Sequence, residues 1–102
     1  MRNFSILGGE PLCEENIVEV ANIILAVRHK FPNIKIFLWT GYTLEELITR
    51  YDKTTDAILY NIDYLIDGRF ELDKRDITLK LRGSSNQHIY HNNSDRVLEL
   101  IE

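Results

Sequence analysis

The chain has 102 residues, 44% of them hydrophobic and 27% charged, the balance of one small globular domain spanning 1–102. A net charge of −4 argues against a general nucleic-acid or membrane-surface binder. No apolar run approaches the roughly 20 residues of a membrane helix, and a single cysteine, Cys13, excludes an internal disulfide and suits a reducing, cytoplasmic location.

The segment NFSIL (3–7) is apolar and short and stops at Gly8-Gly9, which predicts a buried strand. It follows Met1 almost at once, so no signal peptide is expected. After Pro11 the period changes. Ile17, Val20, Ala21, Ile24 and Val27 fall at helical spacing, with acids before them and Arg28, His29 and Lys30 after, as the helix dipole prefers. Phe31-Pro32-Asn33 ends that helix.

IKIFLW (34–39) is a nearly continuous apolar strand, the pattern of a central parallel strand. Thr40-Gly41-Tyr42 follows, and Thr43 and Glu46 have the spacing of a capping box for a second helix carrying Leu44, Leu47, Ile48 and Tyr51. The chain turns over 52–55, and 56–61 predicts a further helical turn or two. IDYLI (62–66) is the third strand and ends at Asp67-Gly68-Arg69. Beyond Phe70 the regularity weakens. ELDKRDITLKL reads as a charged turn or an edge strand, RGSSNQHIYHNNS shows no apolar period, and DRVLELIE reads as a short helix or frayed end.

The order β-α-β-α-β predicts an α/β fold with parallel strands joined by right-handed crossovers. Parallel pairing sets Gly8-Gly9-Glu10, Thr40-Gly41-Tyr42 and Asp67-Gly68-Arg69 at the carboxyl ends of the strands, where α/β folds place their ligands. Three glycine-bearing polar turns on one edge suggest one site.

Each turn has two readings. Gly8-Gly9-Glu10-Pro11 offers unobstructed backbone N–H groups and a carboxylate for an amine or polar small molecule, or is a tight β-α turn with Pro11 at the first helical position. Thr40 and Gly41 offer a hydroxyl and open backbone, or simply lead into the Thr43 cap; Trp39 before them reads as core. Asp67 and Arg69 suit ribose hydroxyls and a carboxylate, or form a surface ion pair. The run Arg82–Gln87 is dense in donors and acceptors, either a partner-binding loop or a solvated one. His88 and His91 lack accompanying cysteines or carboxylates at ligand spacing, so no zinc site is expected.

Taken in order, SILGGEPL, FLWTGYTLEEL, YLIDGRFE and LRGSSNQ resemble the activating enzymes of anaerobic (class III) ribonucleotide reductases, members of the radical S-adenosylmethionine family. The likeness runs from about Asn3 to Ile89. It implies a partial (β/α) barrel with a [4Fe–4S] cluster and S-adenosylmethionine at the carboxyl ends of its strands. It implies reductive cleavage of the sulfonium to a 5′-deoxyadenosyl radical, which removes a hydrogen from a glycine of the reductase. By the resemblance, Gly8, Gly9 and Glu10 contact the methionine amine, Thr40 and Gly41 line the same pocket, and Asp67 and Arg69 lie near the ribose or carboxylate. Gly83, Ser84, Ser85, Asn86 and Gln87 close the site or face the reductase.

The family holds its cluster with three cysteines in a C-x3-C-x2-C loop upstream of the Gly-Gly-Glu-Pro strand, and this sequence has only Cys13, downstream of it. His88 stands where the family usually shows an arginine. The expectation is therefore the carboxyl-terminal portion of an activase, without the cluster-binding segment and inactive alone, that segment residing elsewhere or on another chain. The alternative is a non-enzymatic module that binds the reductase or a nucleotide-like ligand at the same edge.

Overall fold

In a computed structural model, residues 3–6, 9–69, 71, 74–75, 81–82 and 84–102 are described. Of the sequence-derived site residues, Gly8 and Gly83 lie outside this set, as do Leu7 and most of the ELDKRDITLKL run. The elements are β1 (Asn3–Ile6), α1 (Ile17–Lys30), β2 (Lys35–Trp39), α2 (Leu44–Ile48), α3 (Lys53–Asn61), β3 (Tyr64–Asp67), β4 (His88–Asn92) and β5 (Leu98–Leu100). They build one five-stranded sheet in the order β1-β2-β3-β4-β5.

The first three strands are parallel, as the βαβ pattern requires, with Phe4 beside Ile36 and Leu38 beside Leu65. The last two are antiparallel, with Ile66 beside Ile89 and Tyr90 beside Leu100. The helix expected in DRVLELIE is thus a strand. Leu98 and Leu100 alternate around Glu99, a period of two that suits an edge strand. HIYHN, which lacks any apolar run, is a strand because β3 already offers a pairing edge. At the other end of the chain, α1 begins at Ile17 rather than at Pro11, after turns over 11–16.

Alternation along β2 divides the sheet into two faces. Ile36 and Leu38 are fully buried and pack with Ile24, Leu47, Ile58 and Leu65 beneath the helices. Phe37 and Trp39 are half-buried on the opposite face. There Phe37 stacks on Tyr64 at 4.6 Å and Tyr64 meets His91 at 4.7 Å, an aromatic ladder across three strands. Ile66 and Ile89 share that face and are fully buried.

The amino ends of the strands are closed by charge. Arg28, at the end of α1, donates to the carbonyls of Pro32, Ile34 and Asn61 and to Asp63 Oδ2 at 2.7 Å. The same Asp63 oxygen accepts the Ile36 N–H at 2.8 Å, and Arg96 stands 3.6 Å from Oδ1. Burial alone pushes the Asp63 carboxyl up, but the Ile36 N–H and the Arg28 guanidinium, with Arg96 beyond, outweigh it and hold the group below its ordinary range.

Candidate functional site

At the carboxyl ends the chain leaves each of the three parallel strands in a turn, the first two leading to helices, and the residues there govern how closely the turns approach. Glu10 joins the first turn to the second. Its Oε1 accepts the Gly41 N–H at 2.7 Å, and its Oε2 accepts the Thr40 hydroxyl at 2.7 Å and the Leu12 N–H at 2.9 Å. Gly41 suits this closeness: a Cβ there would stand 3.3 Å from Glu10 Oε1, so that the carboxylate would have to give by a few tenths of an ångström, and 3.6 Å from Cγ of Arg69. A carboxylate has about four acceptor positions, so Glu10 keeps one for a further donor.

The third turn is tied to the second in the same way. Asp67, 1% exposed, accepts the Leu44 N–H at 2.7 Å on Oδ2 and the His88 N–H at 3.1 Å on Oδ1, with His88 Nδ1 at 3.4 Å. Burial, followed by the negative charges of Asp67 and Glu45, pushes the Tyr90 phenol above its ordinary value. Gly68 has φ +86°, the left-handed region that favours glycine, and donates to the Tyr42 carbonyl at 2.9 Å. Gln87 fixes that turn from outside. Its Nε2 donates to the Gly68 carbonyl at 2.9 Å, and its Oε1 accepts the Ser84 N–H at 3.1 Å.

These ties leave a cleft of about 200 Å³ lined by Gly9, Glu10, Pro11, Trp39, Thr40, Gly41, Gly68 and Gln87. A Cβ added to Gly9 would meet nothing within 4 Å, so the missing side chain leaves open space. The sequence-derived residues Gly9, Glu10, Thr40 and Gly41 thus share one wall. Asp67 lies behind it, with both oxygens engaged by neighbouring backbone. Arg69 is exposed at the rim, its stem over Gly41 and its carbonyl accepting from Asn86 Nδ2 at 2.7 Å. In the Gly83–Gln87 stretch, Ser84 and Gln87 are buried and turned toward the third turn, and Ser85 is exposed.

Sequence reasoning assigned Trp39 to the core. It is half-buried at the cleft, because β2 alternation carries it to the face opposite Leu38, and its indole N–H donates to the Leu81 carbonyl at 2.7 Å. Gln87, read from the sequence as part of a stretch that closes the site or faces the reductase, lines the cleft; its tie to Ser84 is local, three residues away, but its tie to Gly68 spans 19 residues and has no local spacing to mark it. A larger hollow of about 590 Å³, lined by Asn3, Lys30, Phe31, Pro32, Asn33, Ile34 and Lys35, lies at the amino ends. It has no carboxylate and none of the glycine turns, so the smaller cleft is the candidate site.

Comparison with known proteins identifies the family. The profile of the 4Fe-4S single cluster domain family matches residues 1–90. The chain belongs to that family. It is 43% identical over 89 residues to the anaerobic ribonucleoside-triphosphate reductase-activating protein of Pasteurella multocida, covering 87% of this chain and 55% of that protein. Identity to the protein of the same name from Vibrio cholerae is 40% over 89 residues, with the same shares of 87% and 55%. To that of Enterobacteria phage T4 it is 37% over 93 residues, 90% of this chain and 54% of the relative. The chain therefore spans about half the length of the curated relatives it matches. No solved structure matches it.

The family is named for an iron–sulfur cluster, and the residues present do not fit one. Such a cluster is held by several thiolates. The chain has one cysteine, and among the described residues no group of three or more His, Cys, Asp or Glu side chains could hold a metal ion.

Proposed function

We propose that this chain is the S-adenosylmethionine-binding portion of a glycyl-radical activating enzyme for anaerobic ribonucleotide reductase, and that it is inactive by itself. The observation that carries the reading is the convergence of Gly9, Glu10, Thr40, Gly41 and Gly68, drawn from three strand ends, on one cleft. The names of its relatives support the choice of target. The cluster thiolates would come from a segment other than this one, such as the further length those relatives possess. In the partial (β/α) barrel of that reading, these parallel strands form one portion.

The cleft is sized for one end of the cofactor. Glu10 would receive the methionine amine on its remaining acceptor position, its charge held in place by neutral donors. Gly9 would let the backbone approach the ligand, and Gly8 would extend the same wall. Thr40 would hold Glu10 through its hydroxyl, and Gly41 would leave room for that carboxylate. Arg69 at the rim would meet the methionine carboxylate or a ribose oxygen, and Asp67 would brace the third turn toward it. The Gly83–Gln87 stretch would close the cleft, with Ser85 toward the reductase. When bound, S-adenosylmethionine supplies the hydrogen-abstracting radical of the family's reaction. The lone thiol suits a reducing cytoplasm, and no helix among the described residues is long and apolar enough to cross a membrane.

Titration calorimetry with S-adenosylmethionine tests the site. Binding that weakens at least tenfold in Glu10→Gln supports it, and no binding, or binding indifferent to that change, overturns it. Anaerobic reconstitution with iron and sulfide should leave the isolated chain without cluster absorbance; a cluster forming on it would refute inactivity for want of ligands. The single thiol also favours a second reading, a module that binds the reductase without chemistry. Binding to the reductase unaffected by Glu10→Ala, with none to the cofactor, would select it.

A further inference from the structure

Trp39 is the sole tryptophan of the chain. It lines the cleft half-buried, beside Glu10, Thr40 and Gly41. Its indole N–H is engaged by the Leu81 carbonyl at 2.7 Å. Phe37, two residues earlier on the same face of β2, lies alongside it with ring centroids 6.1 Å apart and planes within 23°. The ring is thus held by its edge and by one neighbour. With its donor engaged, what it offers the cleft is π surface, which is electron-rich and attracts cations. The rest of the lining favours the same sign. Among the described residues Glu10 is the only charged one that lines the cleft, and Arg69 stands at the rim.

A carboxylate and an aromatic surface in one hollow of about 200 Å³ suit a small ligand end with two positive centres. The methionine end of S-adenosylmethionine is such an end, an ammonium and a sulfonium joined by a short carbon chain. We propose that Trp39 recognises the sulfonium charge, so that the cleft selects a sulfonium over the neutral thioether that differs from it by one methyl group. The inference rests on the cofactor assignment made above, in which Glu10 takes the amine. S-adenosylhomocysteine, the matching thioether, keeps the Glu10 contact and presents no charge to the ring. Glu10 therefore sets whether the amino-acid end binds, and Trp39 sets which state of the sulfur is preferred. A cation–π contact at a partly desolvated site is worth about 5- to 30-fold in affinity.

Calorimetry and the fluorescence of Trp39, measured on the full chain, decide it. S-adenosylmethionine should alter the emission of the single tryptophan and bind about 5- to 30-fold more tightly than S-adenosylhomocysteine. Biosynthetic replacement of Trp39 by fluorinated tryptophans withdraws electron density from the ring while keeping its shape and its N–H. Affinity for the sulfonium should then fall stepwise with each added fluorine, and affinity for the thioether should stay level. Trp39→Leu keeps apolar bulk without the π surface and should abolish the preference. Because that variant also loses the tie to Leu81, the fluorinated proteins decide the matter if circular dichroism shows it misfolded. Binding of S-adenosylmethionine that depends on Glu10 but ignores fluorination, or that is no tighter than binding of the thioether, overturns the role of Trp39 and leaves the cofactor site standing. No binding of S-adenosylmethionine at all overturns both.

Discussion

Asp63 and Glu10 stand at opposite ends of the same parallel strands and are held by different chemistry. Asp63 meets the Arg28 guanidinium at 2.7 Å, with Arg96 at 3.6 Å, so its charge is cancelled where it sits. Glu10 meets two backbone N–H groups and a hydroxyl, and among the described residues it forms no ion pair with Lys or Arg. Neutral donors fix a carboxylate in place and leave its charge to act on what enters the cleft. Guanidinium groups fix it and spend the charge on the fold. The amino end is therefore a clamp, and the carboxyl end keeps a carboxylate without a cationic partner among the described residues, the feature on which the proposed amine contact rests.

The contrast breaks most visibly at Asp63. Asp63→Ala leaves Arg28 facing three carbonyls without its counter-charge and should cost about 3–5 kcal/mol, read by urea unfolding. Acid should tell the same story. The folded Asp63 carboxyl lies below its unfolded value, about 3.9, so its stabilisation is complete above that value and is lost as pH falls through the folded one. Glu46 and Asp52 are also lowered, by the Thr43 N–H and by the Thr55 hydroxyl, and share that window. Asp63→Asn should flatten the acid limb of stability against pH, leaving only their part.

Smaller effects sharpen the other end. Gly68→Ala forces a side chain into the left-handed region at φ +86° and should cost about 1–2 kcal/mol in the same unfolding assay. Gly9→Leu should move stability by no more than about 0.5 kcal/mol, the usual range for a change into open space. It should nonetheless lower S-adenosylmethionine affinity at least tenfold by calorimetry, since the added chain fills the cleft. A large stability loss in Gly9→Leu would mean that the carboxyl end is as structural as the clamp.

How much of this was legible beforehand differs by region. The parallel half could be read because its signals are local: the period change after Pro11, the Thr43–Glu46 box and the apolar run of β2. The capping box is present as expected, with Thr43 Oγ1 accepting the Glu46 N–H at 3.1 Å and Glu46 Oε1 accepting the Thr43 N–H at 3.0 Å. The antiparallel half could not be read so. HIYHN becomes a strand by pairing with β3, which lies distant in sequence, and LEL then folds back onto HIYHN.

By itself, the order of residues determined three parallel strands, the helices between them and the alignment of glycine turns along one edge, because period, caps and crossover handedness are properties of short stretches. Tertiary structure decided what each polar residue at that edge does. Glu10 faces an open cleft while Asp67 is sealed behind it, and Gln87 braces Gly68 from a segment 19 residues away. The reason is that a hydrogen-bond partner is chosen by proximity after folding, and spacing along the chain carries no record of it.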